Sequence, residues 1–346
     1  MSHMLDEIHE QPEAIKKLIA AERESIKKLA EEIKNRGINL AVFAARGTSD
    51  NAATYGKYIF EIVNGMPTSL AAPSVFTLYN ARPNLENSLV IGISQSGQAA
   101  DVIECLQRSK ELGALTVAIT NEAGSSITKA ADYTILCHAG PERSVAATKT
   151  YTTTLAAIAL LSATLAGRED LINGLMATPA QITEVLKSCE ATIADRAERY
   201  RYMEECFVLA RGISRATAFE AGLKLAETNY VTVEPFSSSD FLHGPIAIVD
   251  EGAPCFLYAP QGPGFDSMMD IARRLEKKGA ELIVISDSAE ILSMATTRIA
   301  IPVKVDDLLA PIIYIVVGQL FAQYLASTRG LDPDHPRGLS KVTITR

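Results

Sequence analysis

The chain has 346 residues, 47% hydrophobic and 21% charged, enough apolar material for one large or two ordinary buried cores. Its formal net charge of −8 argues against a nucleic-acid partner, because neutralising phosphates takes clustered Lys and Arg. A small anionic ligand stays open, since it needs only a local site.

The N-terminal stretch MSHMLDEIHEQPEAIKKL is charged and amphipathic. It lacks an apolar core, so it is not read as a signal peptide, and Leu5–Asn35 is expected to be helical. Short apolar runs then alternate with helix-like segments: NLAVFAA, SLVIGIS, ALTVAIT and DYTILCH. Continuous apolar runs separated by helices predict a parallel sheet covered on both faces. The apolar run Tyr151–Gly167 follows, then a helical linker over Thr178–Met203, then a second set of strands and a second apolar run, Leu308–Ala326. A membrane span takes about 20 predominantly apolar residues. The first run opens on three threonines and the second carries Pro311, Gln319 and Gln323, so both are expected inside a core or an interface, and no membrane is expected as a partner. Cys105, Cys137, Cys189, Cys206 and Cys255 are scattered without metal spacing, which predicts reduced, mostly buried thiols and a cytoplasmic protein.

The chain repeats itself. FAARGTSDNAA (Phe43–Ala53) matches VLARGISRATA (Val208–Ala218), and Ile91–Asn121 matches Leu257–Asp287 with Gln95 over Gln261 and Gly113 over Gly279, both 166 positions apart. An internal duplication into two doubly wound α/β units follows. The expected division is a helical segment over 1–36, units over 37–177 and 204–332, the linker 178–203 and a tail 333–346.

In an open parallel sheet, ligands sit beyond the carboxyl ends of the strands. There SLVIGIS runs into the turn SQSG, before a helix expected over QAADVIECLQRSKELG. Free N–H groups and the positive dipole end of that helix favour an anion. Ser94, Gln95 and Ser96 add side-chain donors, and Gly97 allows close backbone approach. This is a phosphate cradle without a Lys or Arg, suited to a small phosphate monoester. The nucleotide motifs GxxxxGK[ST] and GxGxxG are absent. The turn could equally be a plain helix cap. The duplicate reads PQGPG (Pro260–Gly264) without either serine, and serine in only one copy points to function.

Six motifs now stand in order: RGTS (Arg46–Ser49), SQSG, AGPERSVAATKT (Ala139–Thr150), EAGLKLAE (Glu220–Glu227), FLHGP (Phe241–Pro245) and DHPRGLSKVTIT (Asp334–Thr345). Together they resemble the sugar isomerase (SIS) family. The similarity is to the isomerase half of glutamine-dependent glucosamine-6-phosphate synthases and to stand-alone SIS-type amino-sugar-phosphate deaminases. The resemblance implies two tandem flavodoxin-like SIS units, no cofactor and no metal, and a homodimer with shared active sites. The chain enters its first unit by about residue 39, so neither a glutaminase domain nor release of ammonia from glutamine is expected.

The resemblance also assigns roles. His243 opens the pyranose ring, a role the family resemblance extends across a subunit boundary, and histidine suits acid–base work at neutral pH. Glu227 moves a proton between C1 and C2, a task for a carboxylate whose basicity burial has raised. Lys341 forms or supports a Schiff base with the open-chain sugar. Gly47, Thr48, Ser49, the Ser94–Gly97 turn, the Val145 backbone, Lys224 and Ser340 contact the substrate. Taken alone, each has a plainer reading: a loop histidine, a surface ion pair at i,i+3, a frayed tail. Val342 and Ile344 argue for an ordered, alternating tail, and Glu220 is the decoy beside Glu227. Against the synthase pattern, Ala99 replaces a phosphate-binding threonine, Ala147 a serine, and Ser340 an alanine. One lost hydroxyl weakens phosphate binding by about 0.5–1.5 kcal/mol, and Arg143 is the expected replacement cation.

The expected function is therefore a glucosamine-6-phosphate deaminase yielding fructose 6-phosphate and ammonia. The alternatives are a fructosamine-6-phosphate deglycase, a galactosamine-6-phosphate deaminase/isomerase and, less directly, a non-catalytic sugar-phosphate sensor.

Overall fold

A computed structural model describes residues 2–341, so the alternating segment expected around Val342 and Ile344 lies outside the described residues. The chain opens with two helices, α1 (His3–His9) and α2 (Gln11–Asn35), where one segment is expected from sequence. The break has a local cause. Pro12 has no N–H and suits only a first helical turn, so a new helix starts there.

The first repeat follows as β1 (Leu40–Ala44), α3 (Thr48–Asn64), β2 (Thr68–Leu70), α4 (Ser74–Thr77), β3 (Ser88–Ile93), α5 (Ala100–Glu111), β4 (Leu115–Thr120), α6 (Ser126–Ala130), β5 (Tyr133–Leu136) and α7 (Lys149–Ala166). Its sheet is parallel throughout, in the order β2-β1-β3-β4-β5. All six residues of β3 and all six of β4 are buried, which explains their unbroken apolar runs. Only β2, three residues long, escapes the sequence reading.

Helix α8 (Glu169–Ala197) begins nine residues before the expected linker and runs through Pro179. The second repeat comprises β6 (Glu205–Ala210), α9 (Arg215–Asn229), β7 (Thr232–Ser237), α10 (Ser238–Leu242), β8 (Pro254–Tyr258), α11 (Phe265–Lys277), β9 (Glu281–Ser286), α12 (Ala289–Leu292), β10 (Thr297–Ala300) and α13 (Ala310–Thr328). Its parallel sheet has the order β10-β9-β8-β6-β7, the same topology as the first, as a duplication requires.

Two compact units result. The β1–β5 unit takes residues 10–142, 149–177 and the tail from Leu339, and the β6–β10 unit takes residues 2–9, 143–148 and 178–338. The tail and the segment Arg143–Thr148 thus leave the unit that their sequence position suggests. In the β6–β10 unit the Asp334 carboxylate accepts the N–H groups of His3 and Met4, each at 2.8 Å, and the Asp334 carbonyl accepts the Val145 N–H at 3.1 Å.

The two apolar runs are core helices. Helix α7 packs on α2 and α3, and nearly all its residues are buried. Helix α13 is apolar and long enough to cross a membrane, yet it is buried inside its unit against α9. All five cysteines are buried and free. The α13–α9 approach depends on Gly318, where a Cβ would stand 2.8 Å from Ala221 Cβ and 2.7 Å from the Tyr258 hydroxyl. Gly318→Ala is expected to cost about 1–3 kcal/mol through overpacking. Urea denaturation checks this, and an unchanged midpoint would show that the two helices separate freely.

Candidate functional site

In the β1–β5 unit the chain runs from β1 to β2 on one side and continues through β3 on the other, so the loops after β1 and β3 flank the topological switch point. The loop after β3 spans Ser94–Ala99, and α5 starts two residues later than expected, at Ala100. Several carbonyls of this loop are used internally. Ser94 O accepts the Gly97 N–H at 3.0 Å, Gln95 O accepts from Asn121 N–H at 3.1 Å and Thr120 Oγ1 at 3.2 Å, and Gly97 O accepts from Ile127 N–H at 3.1 Å. Among the described residues the N–H groups of Gln95, Ser96, Ala100 and Asp101 have no such acceptor. The loop is therefore a surface of donors, as an anion site requires. Ser94 is buried, Gln95 and Ser96 are half-buried.

Gly97 adopts φ +65°, and a Cβ there would fall 2.0 Å from the Ser125 hydroxyl oxygen. Only glycine fits. The Ser125 hydroxyl is itself buried without a hydrogen-bond partner among the described residues, a donor at the cradle that sequence reading missed.

The loop after β1 carries Gly47 at φ +54° and starts α3 at Thr48, with Ser49 N–H donating to Arg46 O at 3.1 Å. Thr48 and Ser49 are half-buried. Arg46 Nε donates to Asp101 Oδ2 at 2.6 Å, tying this loop to the first turn of α5. Lys341 also belongs to this unit. Its ammonium lies 2.8 Å from Glu142, a wholly buried carboxylate that accepts Thr150 N–H at 3.1 Å and Thr150 Oγ1 at 2.7 Å at the start of α7. Ser340 is exposed beside it.

In the β6–β10 unit, α9 places Glu220, Lys224 and Glu227 on one face. Lys224 Nζ lies 3.2 Å from Glu220 and 2.6 Å from Glu227. Lys224 and Glu220 are wholly buried, and Glu227 keeps 23% of its side chain exposed. Burial alone pushes the Lys224 ammonium down, but the two carboxylates outweigh it and hold the group well above the usual lysine range. This is no solvated surface pair, and the sealed Glu220 is the second partner of Lys224. His243 is exposed at the end of α10, its N–H donating to Asp240 O at 3.1 Å. One expectation narrows: the Val145 N–H is occupied by Asp334, which leaves its carbonyl for a ligand. Arg143 belongs to the β6–β10 unit, with its N–H held by the Glu7 carboxylate.

The duplicate crevice is filled by the chain's own acids. Gln261 N–H donates to Asp287 Oδ1 at 2.9 Å, where the Tyr314 hydroxyl also donates at 3.1 Å. Asp307 presses on Gly262, and burial together with Asp306 pushes its carboxyl up to about 6. Among the described residues, this loop therefore has acidic side chains beside it where the Ser94–Ala99 loop has open N–H groups. Because the folded Asp307 holds its proton more tightly than the unfolded one, its own contribution to stability is full below about pH 4 and is lost as pH rises through about 6. Asp307→Asn should remove this loss, so between pH 4 and pH 7 the urea midpoint of the variant should gain relative to that of the wild type. For the buried pair, Glu220→Gln should cost about 3 kcal/mol by leaving Lys224 under-neutralised, and a wild-type denaturation midpoint would show that Glu227 alone suffices.

Comparison with known proteins agrees with this geometry. The SIS domain family matches residues 24–163 and 203–329. A glutamine–fructose-6-phosphate aminotransferase (isomerizing) of Thermococcus kodakarensis is 39% identical over 99% of this chain and 58% of its own length. The equivalent protein of Methanothermobacter thermautotrophicus is 36% identical over 99% and 57%. The chain thus spans under two thirds of these curated relatives. Among solved structures, a phosphosugar isomerase from Silicibacter pomeroyi is 32% identical with a TM-score of 0.88, covering 96% of this chain and all of that one. The C-terminal domain of the Francisella tularensis glucosamine-fructose-6-phosphate aminotransferase is 28% identical with a TM-score of 0.86, covering 97% and 98%.

Proposed function

Since the chain belongs to the SIS domain family, we propose that it is a glucosamine-6-phosphate deaminase acting by aldose–ketose proton transfer. The observation that carries the reading is the clamp on α9: a buried ammonium between two carboxylates, one of which, Glu227, stays partly open to solvent. The donor loop Ser94–Ala99 would hold the 6-phosphate. The exposed imidazole of His243 would move a proton from the C1 hydroxyl to the ring oxygen and open the pyranose. Glu227 would then take the C2 proton and return it at C1, converting the amino aldose into a C2 ketimine. Lys224 keeps Glu227 in place and supplies positive charge beside the developing oxyanion. Water, or Lys341 by transient imine exchange, would displace ammonia at C2 and leave fructose 6-phosphate. The same groups serve the amination half of an aminotransferase, and the 39% identity with such an enzyme favours that second reading. A cytoplasmic homodimer completes the proposal.

Purified protein given glucosamine 6-phosphate should release ammonia and fructose 6-phosphate in equal amounts. Glu227→Gln should lower kcat by about 100- to 10,000-fold. Fructose 6-phosphate and added ammonia converted to glucosamine 6-phosphate and water, with no net deamination, would select the amination reading. Cleavage of a fructosamine 6-phosphate alone would select a deglycase, and binding without turnover a sensor.

A further inference from the structure

We propose that Arg46 is the cation of the phosphate subsite and sets its preference for a phosphate dianion, an assignment that rests on reading Ser94–Ala99 as the cradle. Arg46 stands at the carboxyl end of β1, the strand beside β3, so it belongs to the same edge of the switch point. Its Nε contact of 2.6 Å to Asp101 brings the guanidinium to the first turn of α5, the helix whose open N–H groups form the cradle. Asp101 is a fixed strut: its side chain is 2% exposed, and its other oxygen accepts the Val102 N–H at 2.9 Å. The arginine side chain is half exposed. A guanidinium has five N–H donors, and the strut uses one edge of it, which leaves a fork matched to two phosphate oxygens.

Charge makes the arginine necessary. Asp101 opens α5 and Asp50 opens α3, so each helix that borders the switch point begins with a carboxylate. Burial raises the Asp50 carboxyl while Arg46 lowers it, which places the guanidinium within electrostatic reach of both acids. Without Arg46 a phosphate at these helix starts would meet two carboxylates without the guanidinium that faces both. Ala99, with no hydroxyl to offer, deepens that need. The duplicate supplies the contrast. Arg211, at the matching place after β6, spends its Nη1 on the hydroxyls of Ser237 and Ser239, in the unit whose cradle is occupied by Asp287.

The test compares Ser96→Ala with the double variant Arg46→Gln/Asp101→Asn, which removes both charges and strands no buried carboxylate. Readouts are KM and kcat for glucosamine 6-phosphate and the rise in Tm produced by inorganic phosphate. The double variant should raise KM by roughly 10- to 100-fold, leave kcat nearly unchanged and lose the phosphate-induced rise in Tm. If Ser96→Ala weakens phosphate while the double variant binds it like the wild type, Arg46 is only a structural staple and the proposal fails. If neither change affects phosphate, the cradle reading fails and takes the proposal with it. Should the double variant not fold, Arg46→Lys decides, because it keeps the ion pair but loses the fork. A several-fold rise in KM supports the assignment, and a wild-type KM overturns it.

Discussion

Every strand in both sheets is parallel, and that constraint governs the rest. Parallel pairing forces each strand to return through a helical crossover, so all strand carboxyl ends and all following helix starts gather on one edge. Unpaired N–H groups collect there whether or not a ligand is bound. The chain must satisfy them, and the two copies do so differently. In the β6–β10 unit the Asp287 carboxylate is brought in to accept from Gln261. In the β1–β5 unit the loop carbonyls are tied down and the donors are left open. Duplication thus provides an internal contrast: identical topology, with a carboxylate accepting at one edge and loop N–H groups left open at the other.

The α9 clamp shows the opposite economy. A lysine with no exposed side chain cannot stay charged without neighbours, and it has two. Spacing at i, i+4 and i+7 along one helix delivers both carboxylates without any tertiary coincidence. One of them, Glu220, is sealed, so its role is to neutralise. The other reaches solvent, so it is available to a substrate. The difference arises from where the helix leaves the core.

The fold was largely legible because the apolar runs of β3 and β4 are continuous and the two copies align without gaps over some thirty residues. The short β2 was not, since three residues carry no period. The turn Ser94–Gly97 could be read as a donor loop from residue types alone. Long-range partners could not. Arg46 with Asp101 are 55 positions apart and Lys341 with Glu142 are 199 apart, and neither pairing leaves a local pattern. For Glu220, helical spacing places it beside Lys224, but only packing shows that both lie out of reach of water.

The clamp at Asp334 has a mechanical side. One carboxylate grips the backbone at residues 3 and 4, and the same residue's carbonyl grips Val145, so three distant stretches of chain meet at a single side chain and its peptide. The beginning of the molecule and the stem of its tail are one joint. A load applied at the amino terminus is taken up seven residues upstream of Lys341, before it has to stretch any strand of either sheet. Tension at residues 3 and 4 is therefore passed first to the segment that leads to Lys341.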